Sequence, residues 1–271
     1  MAESITGESW TLEQAIANLQ QTADPSLRYY AAWWLGRFRV EDAVAIAALE
    51  SALSDTTDRS PDGGYPLRRN AARALGKLGN RQVVPALIQC LDCEDYYVRE
   101  AAAQALAELG DDRCIPALRA KLGGGLAAAI AVPGKPHLVE PYAAVIEALG
   151  MLGAQAAIAD VQPFLDHEVP TVSNAAARAL YQLTADEVYA ERLVATLQGP
   201  NLQLRRSALM DLGAIGYLPA AEAIATALTE NSLKLIALKG VLDAHLPPTD
   251  SGPPPLTERT IDVMLLMDSL L

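Results

Sequence analysis

Four aromatic side chains crowd a short stretch of predicted helix: Tyr29, Tyr30, Trp33 and Trp34, in a chain with 3 tryptophans in all. Tyr29 with Trp33, and Tyr30 with Trp34, stand four apart, so two adjacent helix faces each set a tyrosine beside a tryptophan. One such pair can fill a core. Four large rings cannot all point inward from one helix, so at least one pair is expected to face a groove, a ligand or a partner.

Other residues able to do chemistry are thinly spread. Cys90 and Cys93 form a C-x-x-C, but zinc needs a second ligand pair and Cys114 stands alone. A thioredoxin-like role needs a β-α-β setting that the sequence lacks, so these cysteines read as buried apolar filling. His137, His167 and His245 have no metal-ligand spacing, and no metal site is predicted. No Ser-His-Asp set, phosphate-cradling glycine loop or dinucleotide fingerprint is present. His137 has the one suggestive setting, Pro133-Gly134-Lys135-Pro136-His137, where a cation and an imidazole can meet an anion. A loop histidine satisfied by its surroundings is the alternative. Asp95 with Arg99, and Asn201 with Arg205, fall four apart at helix starts and read as pairs tying neighbouring repeats together.

The elements that must position these residues are written as one repeated phrase. Leu67-Arg68-Arg69-Asn70-Ala71-Ala72-Arg73-Ala74-Leu75-Gly76 returns at Val98–Ala107, Val172–Leu180 and Leu204–Gly213. Leu27–Gly36 is an aromatic copy and Tyr142–Gly150 a looser one. The anchoring leucines recur at a period of about 31 residues, the mark of stacked helix pairs. The phrase supplies the first helix of each pair, Gly79 or Gly110 can end it with positive φ, and a proline such as Pro85 or Pro116 opens the second. We therefore predict an all-α, right-handed α-solenoid of HEAT-like repeats, about six helix pairs, over residues 1–246. Two insertions, from Ser54 to Pro66 and from Gly123 to Pro141, break the rhythm and are expected on one face. A proline-rich linker over 247–255 leads to a very apolar helix within 256–271, which must dock on its own solenoid, near Leu235 and Leu238, or on a partner.

Composition narrows the function. With 33 acidic against 21 basic residues, a net charge of -12, the composition argues against nucleic-acid binding, which needs a basic stripe; Arg68, Arg69 and Arg73 could still form a local basic groove. No apolar run of 18 residues or signal pattern occurs, and the odd number of cysteines fits a reducing compartment, so a cytoplasmic protein without membrane insertion is expected.

The double-aromatic phrase Tyr29-Tyr30-Ala31-Ala32-Trp33-Trp34, with Gly63–Ala72, Asp95–Ala101, Pro133–Leu138 and Leu204–Pro219, resembles one family. It is similar to the E subunit of the heterodimeric bilin lyases of cyanobacteria, nearest to those acting on the phycocyanin α-subunit, over about Leu12 to Asp243. The resemblance implies a lyase that needs no cofactor and no metal. Its substrate is phycocyanobilin, a linear tetrapyrrole attached as a thioether to a cysteine of the apo-phycocyanin α-subunit. It also implies a homologous F subunit as obligate partner. On that reading Tyr29, Tyr30, Trp33 and Trp34 offer flat faces to the pyrrole rings, with Tyr65, Tyr96 and Tyr97 lining the same region. Arg68, Arg69 or Lys135 pair with the two propionates, while Asp95 or Glu100 holds the pyrrole N–H groups and favours the protonated bilin, with His137 nearby. The competing reading is a HEAT-like scaffold that binds a protein and catalyses nothing.

Overall fold

The computed structural model describes residues 10–57, 59–246 and 256–271; the predicted linker 247–255 lies outside the described residues. Two compact units divide the chain, Met1–Leu152 and Gly153–Leu271. Both are built from helix pairs, as the repeated phrase requires. Among the described residues, β structure amounts to one isolated antiparallel bridge, Ala131 with Leu138.

The first unit contains α1 (Leu12–Gln20), α2 (Pro25–Arg37), α3 (Ala43–Ala52), α4 (Pro66–Leu78), α5 (Val84–Cys90), α6 (Tyr96–Leu109), α7 (Ile115–Lys121), the short α8 (Gly125–Ala128) and α9 (Tyr142–Met151). The repeated phrase forms α2, α4, α6 and α9, which stack side by side in one layer. The second unit contains α10 (Ile158–Val161), α11 (Pro170–Thr184), α12 (Glu187–Leu197), α13 (Leu202–Ile215), α14 (Ala221–Thr226), α15 (Asn231–His245) and α16 (Glu258–Asp268). There α11, α13 and α15 form the equivalent layer.

Local signals start and stop these helices. Asp24, Asp42 and Asp95 cap α2, α3 and α6 by accepting first-turn N–H groups, and Gly79 (φ 73°) and Gly110 (φ 60°) end α4 and α6 in the left-handed region. The glycine inside the phrase has a different task. A β-carbon on Gly36 would lie 2.8 Å from Cα of Ala74, and one on Gly76 would lie 2.8 Å from Cα of Ala105. The first helices therefore meet almost backbone to backbone, which explains why alanine fills the phrase.

The second residue of the phrase ties the layers together. Arg28 Nε–H donates to the Leu19 carbonyl (3.1 Å), Arg68 Nε–H to Asp55 (2.6 Å), and Arg205 Nη1–H to Gly199 (2.7 Å). Each reaches a carbonyl at or just beyond the C-terminal end of a preceding helix, α1, α3 or α12. This corrects the pairing read from sequence. Asp95 and Asn201 use their carboxylate and amide oxygens to cap helices, whereas Arg99 and Arg205 reach other segments.

The apolar C-terminal helix, α16, docks on its own unit. Val263 is buried with Ile224, Val241 and Leu242, and Asn231 Nδ2–H donates to the Leu270 carbonyl at 2.8 Å. Truncation after His245 is accordingly expected to cost about 2–4 kcal/mol, the burial of two or so aliphatic side chains. Thermal melting of the truncated chain checks this, and an unchanged midpoint refutes it.

Candidate functional site

Helical periodicity aligns the third, seventh and eleventh positions of the phrase on one face. In α2 these are Tyr29, Trp33 and Arg37, in α4 Arg69, Arg73 and Lys77, and in α6 Glu100, Gln104 and Glu108. The eighth position lies in the seam between helices, where α4 and α6 carry Ala74 and Ala105. Trp34 occupies that position in α2. It is buried, with its ring 4.9 Å from that of Phe38. Tyr30 and Trp33 are instead about half exposed, at 48% and 47%, and stack on one another at 5.3 Å, with Trp10 edge-on to Tyr30 at 4.7 Å. Of the two four-apart pairs read from sequence, Tyr30 with Trp34 is split between surface and core, and Tyr30 stacks instead on Trp33, three residues away. Tyr29 is half-buried, and Trp34 belongs to the core.

Beside Trp33 lies a row of charge. One cavity of about 170 Å³ is bounded by Trp33, Asn70, Arg73 and Lys77, and another of about 250 Å³ by Arg73, Lys77, Gln104 and Glu108. Small residues, Gly36 and Ala74 in the first and Ala105 in the second, lie at these helix crossings. Farther along α6, burial raises the carboxyl of Glu100 above its ordinary value, with Arg73, Arg69 and His137 pulling the other way. Arg69 lies 5.8 Å from the Tyr97 ring centre and keeps a buried Nε–H without a hydrogen-bond partner.

The two insertions meet next to this row. Arg59, Asp62, Gly63 and Gly64 from the first, and Val132, Lys135, His137 and Val139 from the second, line one cavity of about 390 Å³ together with Tyr96 and Tyr97. The second insertion folds as a hairpin, with Val132 N–H donating to the His137 carbonyl. His137 stacks on Tyr96 at 4.1 Å and meets Tyr97 edge-on at 5.9 Å. Its Nδ1 lies 2.8 Å from the Leu138 carbonyl, which can only accept, so Nδ1 carries a proton and Nε2 is the remaining ring nitrogen. Burial pushes the Tyr96 phenol up to about 12, which keeps it a neutral hydroxyl.

Arg99 holds this arrangement in place. Its guanidinium donates to Glu140 Oε2 (2.8 Å) and to the carbonyls of Val139 (2.6 Å) and Cys93 (2.7 Å), clamping the hairpin to α6. Arg99→Met is expected to take the guanidinium donor away from Glu140 and from the Val139 and Cys93 carbonyls, and to destabilise the hairpin by about 2–3 kcal/mol. Faster proteolytic cleavage between residues 123 and 141 is the readout, and wild-type cleavage rates would contradict it.

Three residues singled out from sequence have structural duties instead. Tyr65 is buried between Arg68 and Arg59, at 3.9 and 4.5 Å, and its hydroxyl donates to Glu94 Oε1 at 2.6 Å. Arg68 is engaged by the carbonyls of Asp55 and Ser54. Asp95 accepts from the backbone N–H groups of Tyr97 and Tyr65, at 2.9 and 2.7 Å, so both its oxygens are occupied. Glu100, Arg69, Lys135, Tyr96, Tyr97 and His137 remain on the candidate surface. Arg73, Lys77, Gln104 and Glu108 join it, not selected as site residues from sequence although their four-residue spacing was there to be read. Cys90 and Cys114 are buried, with thiols pushed up to about 11 by that burial, as apolar filling requires, whereas Cys93, read from sequence as buried too, is only half-buried and its Sγ accepts from Arg68 Nη1–H at 3.7 Å. Among the described residues no three His, Cys, Asp or Glu side chains gather as a metal site needs, and no helix is long and apolar enough to cross a membrane.

Fold and surface together define a HEAT-repeat protein that presents a shallow row of aromatic and charged groups rather than a deep enclosed crevice. The HEAT-repeat family matches residues 58–124 and 140–213, and the phycobilisome (PBS) lyase HEAT-like repeat matches 27–55. The chain is 62% identical, over all of both chains, to phycocyanobilin lyase subunit alpha of Picosynechococcus. It is 46% identical over 86% of its length, and 87% of the relative's, to the bilin biosynthesis protein PecE of Nostoc. The structure superposes on the complex of CpcE and CpcF of phycocyanin lyase from Nostoc with a TM-score of 0.89 and 59% identity, covering 100% of this chain and 98% of the other. The chain belongs to the family of phycocyanobilin lyase alpha subunits.

Proposed function

We propose that this chain is the bilin-handling subunit of a heterodimeric lyase that joins phycocyanobilin to a cysteine of the phycocyanin α-subunit. The observation that supports this most directly is the face on which exposed Tyr30 and Trp33, the α4 cations and the partly buried Glu100 lie in one row, in a member of this family. Phycocyanobilin is the substrate, and the addition calls for no cofactor and no metal. The acceptor sulfur bonds to the exocyclic carbon of the ring A ethylidene group, the double bond's electron pair moves into the ring, and a proton is returned to a ring carbon. Nothing is oxidised and nothing leaves.

Such a reaction asks the protein for position and a proton. Trp33 and Tyr30 offer flat faces against which pyrrole rings stack. Glu100 hydrogen-bonds the pyrrole N–H groups, and its raised carboxyl supplies the proton that makes the tetrapyrrole more electrophilic. Tyr97 and His137 flank that point, with Lys135 at the rim of the adjoining cavity. A homologous F-type subunit completes the surface and binds the apo-phycocyanin α-subunit with it, in the cytoplasm where the acceptor is made. The solved relative is a two-subunit complex, which supports this arrangement.

Co-expression of this chain with bilin-making enzymes, the F-type subunit and the apo α-subunit tests the reading. A red-absorbing, covalently attached chromophore that disappears when this chain is omitted is the expected result. Equal attachment with and without it would reduce the chain to a scaffold.

A further inference from the structure

Most basic side chains of the first unit are committed to structure. Arg28 pairs with Asp55, Arg59 with Glu94, Arg99 with Glu140, and Arg68 with backbone carbonyls. Arg73 and Lys77 differ: among the described residues neither side chain makes a hydrogen bond or an ion pair. Two cations left unpaired, in a chain with 33 acidic residues to draw on, mark a place kept for an anion from outside.

Their geometry says what kind. Four residues apart on α4, they project to the same side with β-carbons about 5–6 Å apart. They form the ridge between two cavities, of about 170 and 250 Å³, with the indole of Trp33 bounding the first. Gly36 and Ala74, both small, also line the first cavity. On the far side Glu108 faces Lys77 and Glu100 faces Arg73, and burial raises both carboxyls. Arg69, the third cation of the stripe, leans over Tyr97.

We propose that Arg73 and Lys77 form a two-point carboxylate subsite that takes the paired propionates of a linear tetrapyrrole, whose flat body lies toward Trp33. This rests on the bilin-binding reading above. The two propionates of a bilin sit on its adjacent central rings, a few ångströms apart on flexible arms, a spacing that two cations one helical turn apart can meet. Guanidinium gives one carboxylate a bidentate partner and the ammonium gives the other a point charge. The site thereby selects a dicarboxylate and fixes which way the tetrapyrrole lies.

The test uses the heterodimer of this chain with its F-type partner and two probes, phycocyanobilin and its dimethyl ester, titrated by absorbance. The wild-type dimer is expected to bind the diacid about 10-fold or more tightly than the diester. Arg73→Gln with Lys77→Gln should bring that ratio to about 1 with affinity for the diester unchanged, which also reports an intact surface. The swapped variant, Arg73→Lys with Lys77→Arg, should keep the preference. A preference retained by the double glutamine variant, no preference in the wild type, or equal loss of both probes overturns the subsite while leaving bilin binding standing. A wild-type dimer that binds neither probe overturns the bilin-binding reading, and the subsite with it.

Discussion

Glu100→Gln is expected to slow chromophore attachment about 100-fold, within the range that a positioned acid contributes, without lowering the melting temperature. The two parts of this expectation have one cause. Burial lifts the Glu100 carboxyl above its ordinary value of 4.5, with Arg73, Arg69 and His137 opposing. A proton donor works in its protonated form, so the wild-type rate should fall as pH rises through that raised value. Glutamine does not titrate, and the variant should lose this limb of the profile. For stability, a carboxyl whose pKa is raised on folding contributes fully below its unfolded value, and that contribution is lost as pH rises through the folded one. Glutamine carries no charge for burial to oppose, so the substitution is neutral or stabilising wherever the wild-type carboxyl is ionised, and a variant that loses activity only in step with its melting point would remove Glu100 from the chemistry.

The second large effect separates two adjacent tryptophans. Trp34→Ala is expected to cost about 3–5 kcal/mol, as truncation of a buried large aromatic does, because Trp34 fills the seam position beside Phe38. Trp33→Ala removes a ring that is 47% exposed. It should change stability by about 0.5 kcal/mol or less and raise the KM for phycocyanobilin about 10-fold through lost stacking. Denaturant unfolding and steady-state attachment rates, measured on both variants, give the comparison. The opposite pattern, with Trp33 costing stability and Trp34 costing KM, would reverse the assignment of the two faces.

The repeat made the fold legible. Leucine at a fixed period, glycine four residues beyond it in most copies and proline opening the next segment report local backbone preferences, and local preferences survive without tertiary context. The same repeat also held the answer for the aromatic cluster. Trp34 stands where the other copies carry Ala74 and Ala105, and a position that is alanine elsewhere is a helix seam. The four-apart spacing within α2 offered Tyr29 with Trp33 and Tyr30 with Trp34 alike, because spacing within one helix says which residues are neighbours and nothing about which side meets the next helix. Arg73 and Lys77 were equally visible in the spacing of α4, but only their lack of hydrogen-bond and ion-pair partners among the described residues distinguishes them from an ordinary solvated face.

Chain order thus carried the helix pairs, the two insertions and the acidic balance of the chain as a whole. Each of these depends on backbone preference or on total charge, quantities that add up along the chain. Partner choice depends on distances between segments far apart in sequence, and so it waited for the fold. Asp95 became a helix cap because Tyr97 and Tyr65 bring their N–H groups to it. Arg68 turned from ligand candidate to tie because the carbonyls of Asp55 and Ser54 lie within its reach. The C-terminal helix settled on its own last repeat because α14 and α15 leave an apolar face there that Val263 can fill. Glu100 acquired its raised carboxyl from the burial that packing imposes on it, which no neighbour in the sequence supplies.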